Sequence, residues 1–326
     1  MKAIVQERFG APEVLRLADV DIPRVGPDDV LVRVRAAALN PYDWHMLRGD
    51  PYIARLMGGV GLRRPKSRVP GIDAAGVVEL VGTNVRGVGP GDEVFGLCAG
   101  ALAEYALAAP REALVPKPAR LTFEEAAAVP LAAGTALQAV RDIARLRAGQ
   151  RLLVNGAAGG IGTFAIQIAT ALGVEVTGVC SARNAELVRS LGAVRAIDYT
   201  AEDFLDRAER YDAILDNVGN RPLRHLRRAL TSTGTLVVNG GGEPGKVFGA
   251  VTNFPCGFAL NTVVRQRIRP FIWKPRRADL EALAELIEAG KLAPVIDRAY
   301  SLPDAAEALR HVEGGHTRGK VVVTIA

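Results

Sequence analysis

The sequence predicts an α/β chain in which a small β-rich domain accompanies a doubly wound parallel sheet. Three observations carry that expectation. Short apolar runs punctuated by Gly and Pro fill the first part of the chain and give way, after Leu121, to an Ala-rich segment. From Arg151 onward, strand-like runs alternate with helical patterns, as in a parallel sheet covered on both faces. The chain has 326 residues, long for one hydrophobic core and suited to two.

The elements follow in order. VLVRVRAAAL alternates apolar and polar residues at Val30, Val32 and Val34, the pattern of a half-buried strand. AAGVVELVG and GDEVFGL read the same way. In LTFEEAAAVP, Thr122 and Glu125 have capping-box spacing at the head of a helix. Beyond it, strands are expected at 151–155, 174–180, 194–198, 211–216 and 234–238, with helices at 160–172, 184–191, 202–208 and 221–230. A helix at 277–289 should end on Gly290 as its C-cap. PVIDRAYSL and GKVVVTI are strands expected to return to the first domain. The β-rich domain is thus placed at 1–121 and 291–326, and the parallel-sheet domain at 122–290.

Composition narrows the function classes. A hydrophobic share of 49% and a charged share of 23% describe an ordinary soluble globular protein. The net charge of +6 is spread among interleaved acids, so nucleic acid is not an expected partner. Cys98, Cys180 and Cys256 stand far apart without CxxC spacing, which argues against a disulfide framework and a structural zinc site. The first residues carry no apolar leader, and a cytoplasmic location is expected. VFGAVTNFPCGFALNTVV (247–264) is uncharged, but Asn253, Pro255, Gly257 and Asn261 interrupt it. It is read as a buried pocket wall or subunit contact rather than a membrane span.

LLVNGAAGGIGTFAIQIA places an apolar strand, a glycine-rich turn and a helix in succession. A helix N-terminus offers unpaired N–H groups and the positive end of its dipole. A pyrophosphate can lie there only where no side chain covers the backbone, which requires Gly159 and Gly160. Gly162 should let the helix pack close to the sheet, and Gly156 precedes the A-x-G-x-x-G run. Ala158 and Ile161 complete the turn. An NAD site wants an acid at the end of the second strand, to bond the ribose 2′-OH. Here Glu175 lies at the beginning of that strand, and Ser181 and Arg183 at its end. A hydroxyl with a guanidinium suits a 2′-phosphate, so NADPH is expected over NADH.

These stretches, with AAALNPYDWHMLRG, VPGIDAAGVVELVG, GALAEYA, SLGAVRAIDY, ILDNVGN and the terminal RGKVVV, make the chain resemble the medium-chain dehydrogenase/reductase superfamily in its zinc-independent, quinone-oxidoreductase-like branch. The resemblance implies a GroES-like catalytic domain, a Rossmann domain and a cleft between them. Zinc alcohol dehydrogenases of the superfamily carry Gly-His-Glu where this chain has Gly71-Ile72-Asp73, and a Cys ligand near Asn40. Ile72 cannot bind a metal, Asn40 is a poor ligand, and His45, His225, His311 and His316 show no ligand pairing. No metal is expected.

Without a metal, only hydrogen-bond donors can stabilise the developing anion. That favours hydride delivery to a quinone or to the β-carbon of an enone, whose product anion is delocalised. By resemblance, Asn40 lies near nicotinamide and substrate, and Tyr52 near the place of an enoyl-reductase proton donor, one residue further along. Tyr42 and His45 are alternatives, and Asp43 is read as an anchor of their loop. The resemblance also implies cofactor contacts from Thr135, Tyr199, Asn217, Val218, Gly240, Gly241, Gly319 and Lys320. The expected partner is a small electrophile: a quinone, enone or enal. A homodimer is expected through RIRPFIW (267–273) as an edge strand, with Pro270 facing outward. The arginines around it are either a solvated face or an attraction for a phosphorylated substrate. The rivals are an alcohol or aldehyde oxidoreductase and a non-enzymatic NADPH-binding sensor or accessory protein.

Overall fold

A computed structural model describes residues 1–50, 55, 61–109, 113–206, 208–239 and 264–326. The chain forms two compact units, residues 1–134 with 275–326, and residues 135–274. The helix Arg277–Glu288 therefore goes with the first unit, where the sequence division had assigned it to the second. The Arg277 guanidinium holds it there, donating to the Leu114 carbonyl at 2.9 Å.

The first unit is built on β-strands. β1 (Lys2–Val5) pairs antiparallel with β2 (Arg16–Asp19). β3 (Val30–Leu39) is the spine of a seven-stranded sheet, with only Arg33 and Arg35 exposed along its length. Around it run β4 (Asp73–Val81), β5 (Glu93–Leu97), β6 (Tyr105–Ala108) and β7 (Leu114–Pro116). The expected capping box is present: Thr122 Oγ1 accepts from Glu125 N at 3.2 Å, and Glu125 Oε2 from Thr122 N at 2.9 Å.

Among the described residues, the second unit is built on a six-stranded, wholly parallel sheet. In chain order its strands are β8 (Arg151–Asn155), β9 (Glu175–Cys180), β10 (Arg195–Asp198), β11 (Tyr211–Asp216), β12 (Leu230–Val238) and β13 (Arg267–Pro270). In space they run β10-β9-β8-β11-β12-β13, with the order reversing between β8 and β11. Their apolar runs are buried on both faces, as helices on each side require. Two expectations differ from what is found. The described residues of 202–208 form no helix; Asp203 Oδ1 instead accepts from Leu205 N at 3.0 Å, so its side chain competes with helix hydrogen bonding. β12 begins at Leu230, four residues early, and reaches Tyr211 past a register shift in β11.

β14 (Ile296–Ser301) and β15 (Lys320–Thr324) return to the first unit, where β15 lies antiparallel against β3. Gly290, at φ +67, closes the preceding helix, and its N–H donates to Ile287 O at 2.9 Å. Among the described residues, no helix is long and apolar enough to cross a membrane. Residues 247–263 lie outside the described residues.

Candidate active site

The glycine turn follows β8. Gly156 adopts φ +80, a left-handed conformation that favours glycine, and Ala157 N donates back to Val179 O at 3.0 Å. The helix Gly160–Ala171 starts at Gly159. Its first internal bond is Thr163 N to Gly159 O, at 3.0 Å, so the N–H groups of Gly160, Ile161 and Gly162 have no acceptor within the helix. A Cβ on Gly162 would stand 2.2 Å from Gly156 O, so glycine there permits the close approach of helix to turn. A Cβ on Gly159 would meet only Gly156 O, at 3.5 Å; glycine at 159 keeps the backbone open rather than relieving a clash. Ala158 is buried beside it.

At the C-terminal end of β9, Ser181 Oγ accepts from Asn184 Nδ2 at 3.3 Å, and Arg183 is exposed. Glu175 lies at the opposite end of the strand, as expected. Sequence reasoning missed Asp198, at the end of the neighbouring β10. Its Oδ1 accepts from Thr200 N at 3.0 Å and Thr200 Oγ1 at 2.8 Å, and these bonds hold its carboxyl below the usual range. The acid is thus held by its own turn and by the Ala182 N–H beside the end of β9. Tyr199 donates its N–H to Cys180 O at 3.1 Å and leaves its ring half exposed.

The end of β11 carries a second polar cluster. Buried Asp216 accepts through Oδ1 from Asn155 Nδ2 at 2.8 Å, Val218 N at 3.2 Å and Gly219 N at 3.0 Å. Asn217 Oδ1 takes Asn239 Nδ2 at 2.9 Å, while Asn217 Nδ2 is buried with no hydrogen-bond partner among the described residues. A buried donor left unpaired costs roughly 1–3 kcal/mol, so this atom is suited to meet an acceptor on a ligand. Val218 is 43% exposed beside it. The turn, the Ser181–Arg183 end and the Asn217 amide all lie at the C-terminal edge of the sheet, and the turn and Asn217 flank the point of strand-order reversal. This is where dinucleotides bind such sheets, and the residues fit one. Gly240 and Gly241 lie outside the described residues.

In the first unit the candidates meet in a buried network. Lys320 Nζ donates to Leu39 O at 2.9 Å and to Asn40 Oδ1. Asn40 Nδ2 donates to Asp73 Oδ2 at 3.0 Å, and Asn40 N to Asp43 Oδ2 at 2.7 Å. Asp73 also accepts from Leu131 N at 3.2 Å. Burial pushes the Asp43 carboxyl up to about 7 and that of Asp73 up to about 6, the latter restrained by Lys320 and Asn40. Burial lowers Lys320 in turn, against the pull of both carboxylates. Lys320, expected to reach a cofactor, has its ammonium turned inward, and the Asn40 side chain is shared among Lys320, Asp73 and Asp43. The sequence offered no signal for this grouping, because its members lie up to 281 positions apart.

Of the remaining candidates, Gly319 has φ +87, and a Cβ there would lie 2.2 Å from Val295 O. Thr135 is buried. Tyr42 is 43% exposed, and His45 stacks on Trp44 at 3.6 Å with its pKa lowered by burial. Asp43 anchors the loop through Asn40 N, as expected. Tyr52 lies outside the described residues. Those that are described include no group of three His, Cys, Asp or Glu side chains that could hold a metal ion.

Comparisons with known proteins agree with this architecture. The alcohol dehydrogenase GroES-like domain model matches residues 26–119, and the zinc-binding dehydrogenase model matches residues 191–323. A 2-methylene-furan-3-one reductase of Solanum lycopersicum is 36% identical, over 99% of this chain and 79% of that protein. An NADPH-dependent alkenal/one oxidoreductase of Arabidopsis thaliana, a chloroplastic protein, is 34% identical over 99% and 79%. The solved quinone oxidoreductase of Coxiella burnetii superposes with a TM-score of 0.86 at 32% identity, covering 100% of this chain and 99% of that one.

Proposed function

Because this chain belongs to the medium-chain dehydrogenase/reductase superfamily, in its quinone-oxidoreductase-like branch, we propose that it is an NADPH-dependent oxidoreductase reducing quinones or α,β-unsaturated carbonyls. The observation that carries this reading is the bare glycine turn, together with a second-strand end that offers Ser181 and Arg183. The N–H groups of Gly160 to Gly162 bind the pyrophosphate, Ser181 and Arg183 the ribose 2′-phosphate, and Asn217 Nδ2 an acceptor on the cofactor. When bound, the nicotinamide supplies a hydride.

The protein's share of the chemistry is positioning and donation to the oxyanion that develops on the substrate. Asn40 is the proposed donor from the first unit; Lys320 and Asp73 fix which way its amide points. Tyr52 is the proposed proton donor. The reaction is proposed to run without zinc, because Ile72 offers no ligand atom and Asn40 is engaged by Asp73 and Lys320.

A homodimer is proposed through β13. It is the edge strand of the parallel sheet, Pro270 closes it, and Ile272 just beyond is 68% exposed. The proposed location is cytoplasmic, which suits Cys98 and Cys180 as buried free thiols. The test is NADPH consumption on a panel of quinones, enones and enals: turnover by at least one class supports the reading, and NADPH binding without turnover on any favours a sensor.

A further inference from the structure

The glycine turn uses one edge of the parallel sheet. At the other edge, where the strands begin, a concavity of about 380 Å³ opens among Gln150 before β8, Asp212 on β11, Thr231, Thr233 and Thr235 on β12 and Arg267 on β13. That size lies within the range of small-molecule sites, roughly 300–1,000 Å³. Arg145 and Arg147 complete its wall, so three guanidinium groups face one carboxylate.

The carboxylates nearby are already taken. Asp212 Oδ2 accepts from Arg151 N at 2.9 Å, and Asp142 is held by Nε and Nη2 of Arg141 at 2.6 and 2.9 Å. Neither Arg147 nor Arg267 has an ion-pair partner among the described residues. Arg145 is the one described residue other than glycine with a positive φ, at 54°. Such a conformation costs of order 1 kcal/mol or more in a side-chain-bearing residue and calls for a reason. It ends the helical segment Gln138–Ile143, with Arg145 Nε donating to Asp142 O at 3.3 Å. That donation offsets part of the helix's negative end, which carries about half a charge and would otherwise oppose an anion. Gly234 lies in the floor, where a Cβ would crowd Tyr211 O at 3.0 Å and Thr231 Oγ1 at 3.1 Å.

We propose that this concavity binds a phosphoryl group, carried by a molecule no larger than a nucleoside monophosphate. Arg145, Arg147 and Arg267 supply charge and forked N–H donors, and the threonine hydroxyls of β12 supply further donors. The site is separate from the dinucleotide edge and does not depend on the reaction assigned to it.

The test is calorimetric titration of the full chain, already saturated with NADPH, using pyrophosphate and adenosine 5′-monophosphate as separate probes. The expected result is saturable binding that the double variant R147Q/R267Q weakens about tenfold or more, since each lost guanidinium removes charge-assisted hydrogen bonds. Both arginines are exposed in the single chain, so the variant should keep the wild-type melting temperature. Because Arg267 begins the strand proposed as the dimer edge, the titration is repeated with R147Q alone, which should keep NADPH-dependent turnover and still weaken binding of both probes. Tighter binding of the monophosphate would mean that its nucleoside adds contacts; equal binding would mean that the phosphoryl group alone is recognised. Absence of saturable heat in the NADPH-loaded protein, or equal affinity in the double variant, would overturn the proposal.

Discussion

Lys320 Nζ lies 3.8 Å from Asp73 Oδ2, with the two side chains 3% and 0% exposed. A lysine and a carboxylate so enclosed are held together by necessity, since losing either leaves the other's charge without compensation. Lys320→Met should therefore destabilise the protein by about 3–5 kcal/mol, and adding Asp73→Asn should restore much of the loss. Thermal unfolding of the single and double variants checks this; equal melting temperatures for wild type and K320M would contradict it.

The same network sets a pH dependence. Asp43 and Asp73 titrate at about 7 and 6 when folded, above the unfolded value near 3.8. Between those limits the folded chain holds more protons than the unfolded one, so this contribution to stability falls as pH rises from about 4 to about 7. Asp43→Asn removes one titrating group and can keep the acceptor for Asn40 N. The variant's stability relative to wild type should rise between pH 5 and pH 8, measured as a difference in melting temperature. A constant difference would show that Asp43 is not held protonated by burial.

Gly162→Ala tests the turn. The added methyl would lie 2.2 Å from Gly156 O, a backbone atom that cannot swing away. The cost should be about 1–3 kcal/mol of stability, with NADPH affinity falling as the turn is displaced. Normal stability and normal NADPH affinity in G162A would contradict the tight packing described here.

Arg183→Gln tests the choice of cofactor. Loss of a charged partner to the 2′-phosphate should raise KM for NADPH roughly 10- to 100-fold while leaving KM for NADH nearly unchanged. Equal effects on both cofactors would remove Arg183 from the phosphate site.

Much of this fold was legible because its signals are local. Alternation at Val30, Val32 and Val34, the Thr122–Glu125 cap, Gly290 and the Gly156–Gly162 turn each depend on residues within a few positions of one another. The helix expected at 202–208 failed because the Asp203 side chain turned the chain locally, against a pattern judged by periodicity alone. Asp198 escaped notice because the acid expected in an NAD site is sought at the end of the second strand, not the third. The Lys320–Asn40–Asp73 network was illegible for a different reason. It is assembled only when β15 pairs with β3 and β3 with β4, and no spacing within the sequence encodes that meeting. Asn40 and Lys320 were recognised as important, but not as partners of each other.

The central claim is that NADPH, unaided by a bound metal, reduces a conjugated electrophile on this protein. The most direct measurement follows NADPH absorbance with a quinone or enone present, in chelator, beside NADH at equal concentration. The account predicts substrate-dependent oxidation of NADPH that the chelator leaves unchanged and that NADH supports more slowly. Turnover abolished by chelator and restored by zinc, or faster turnover with NADH, would contradict it.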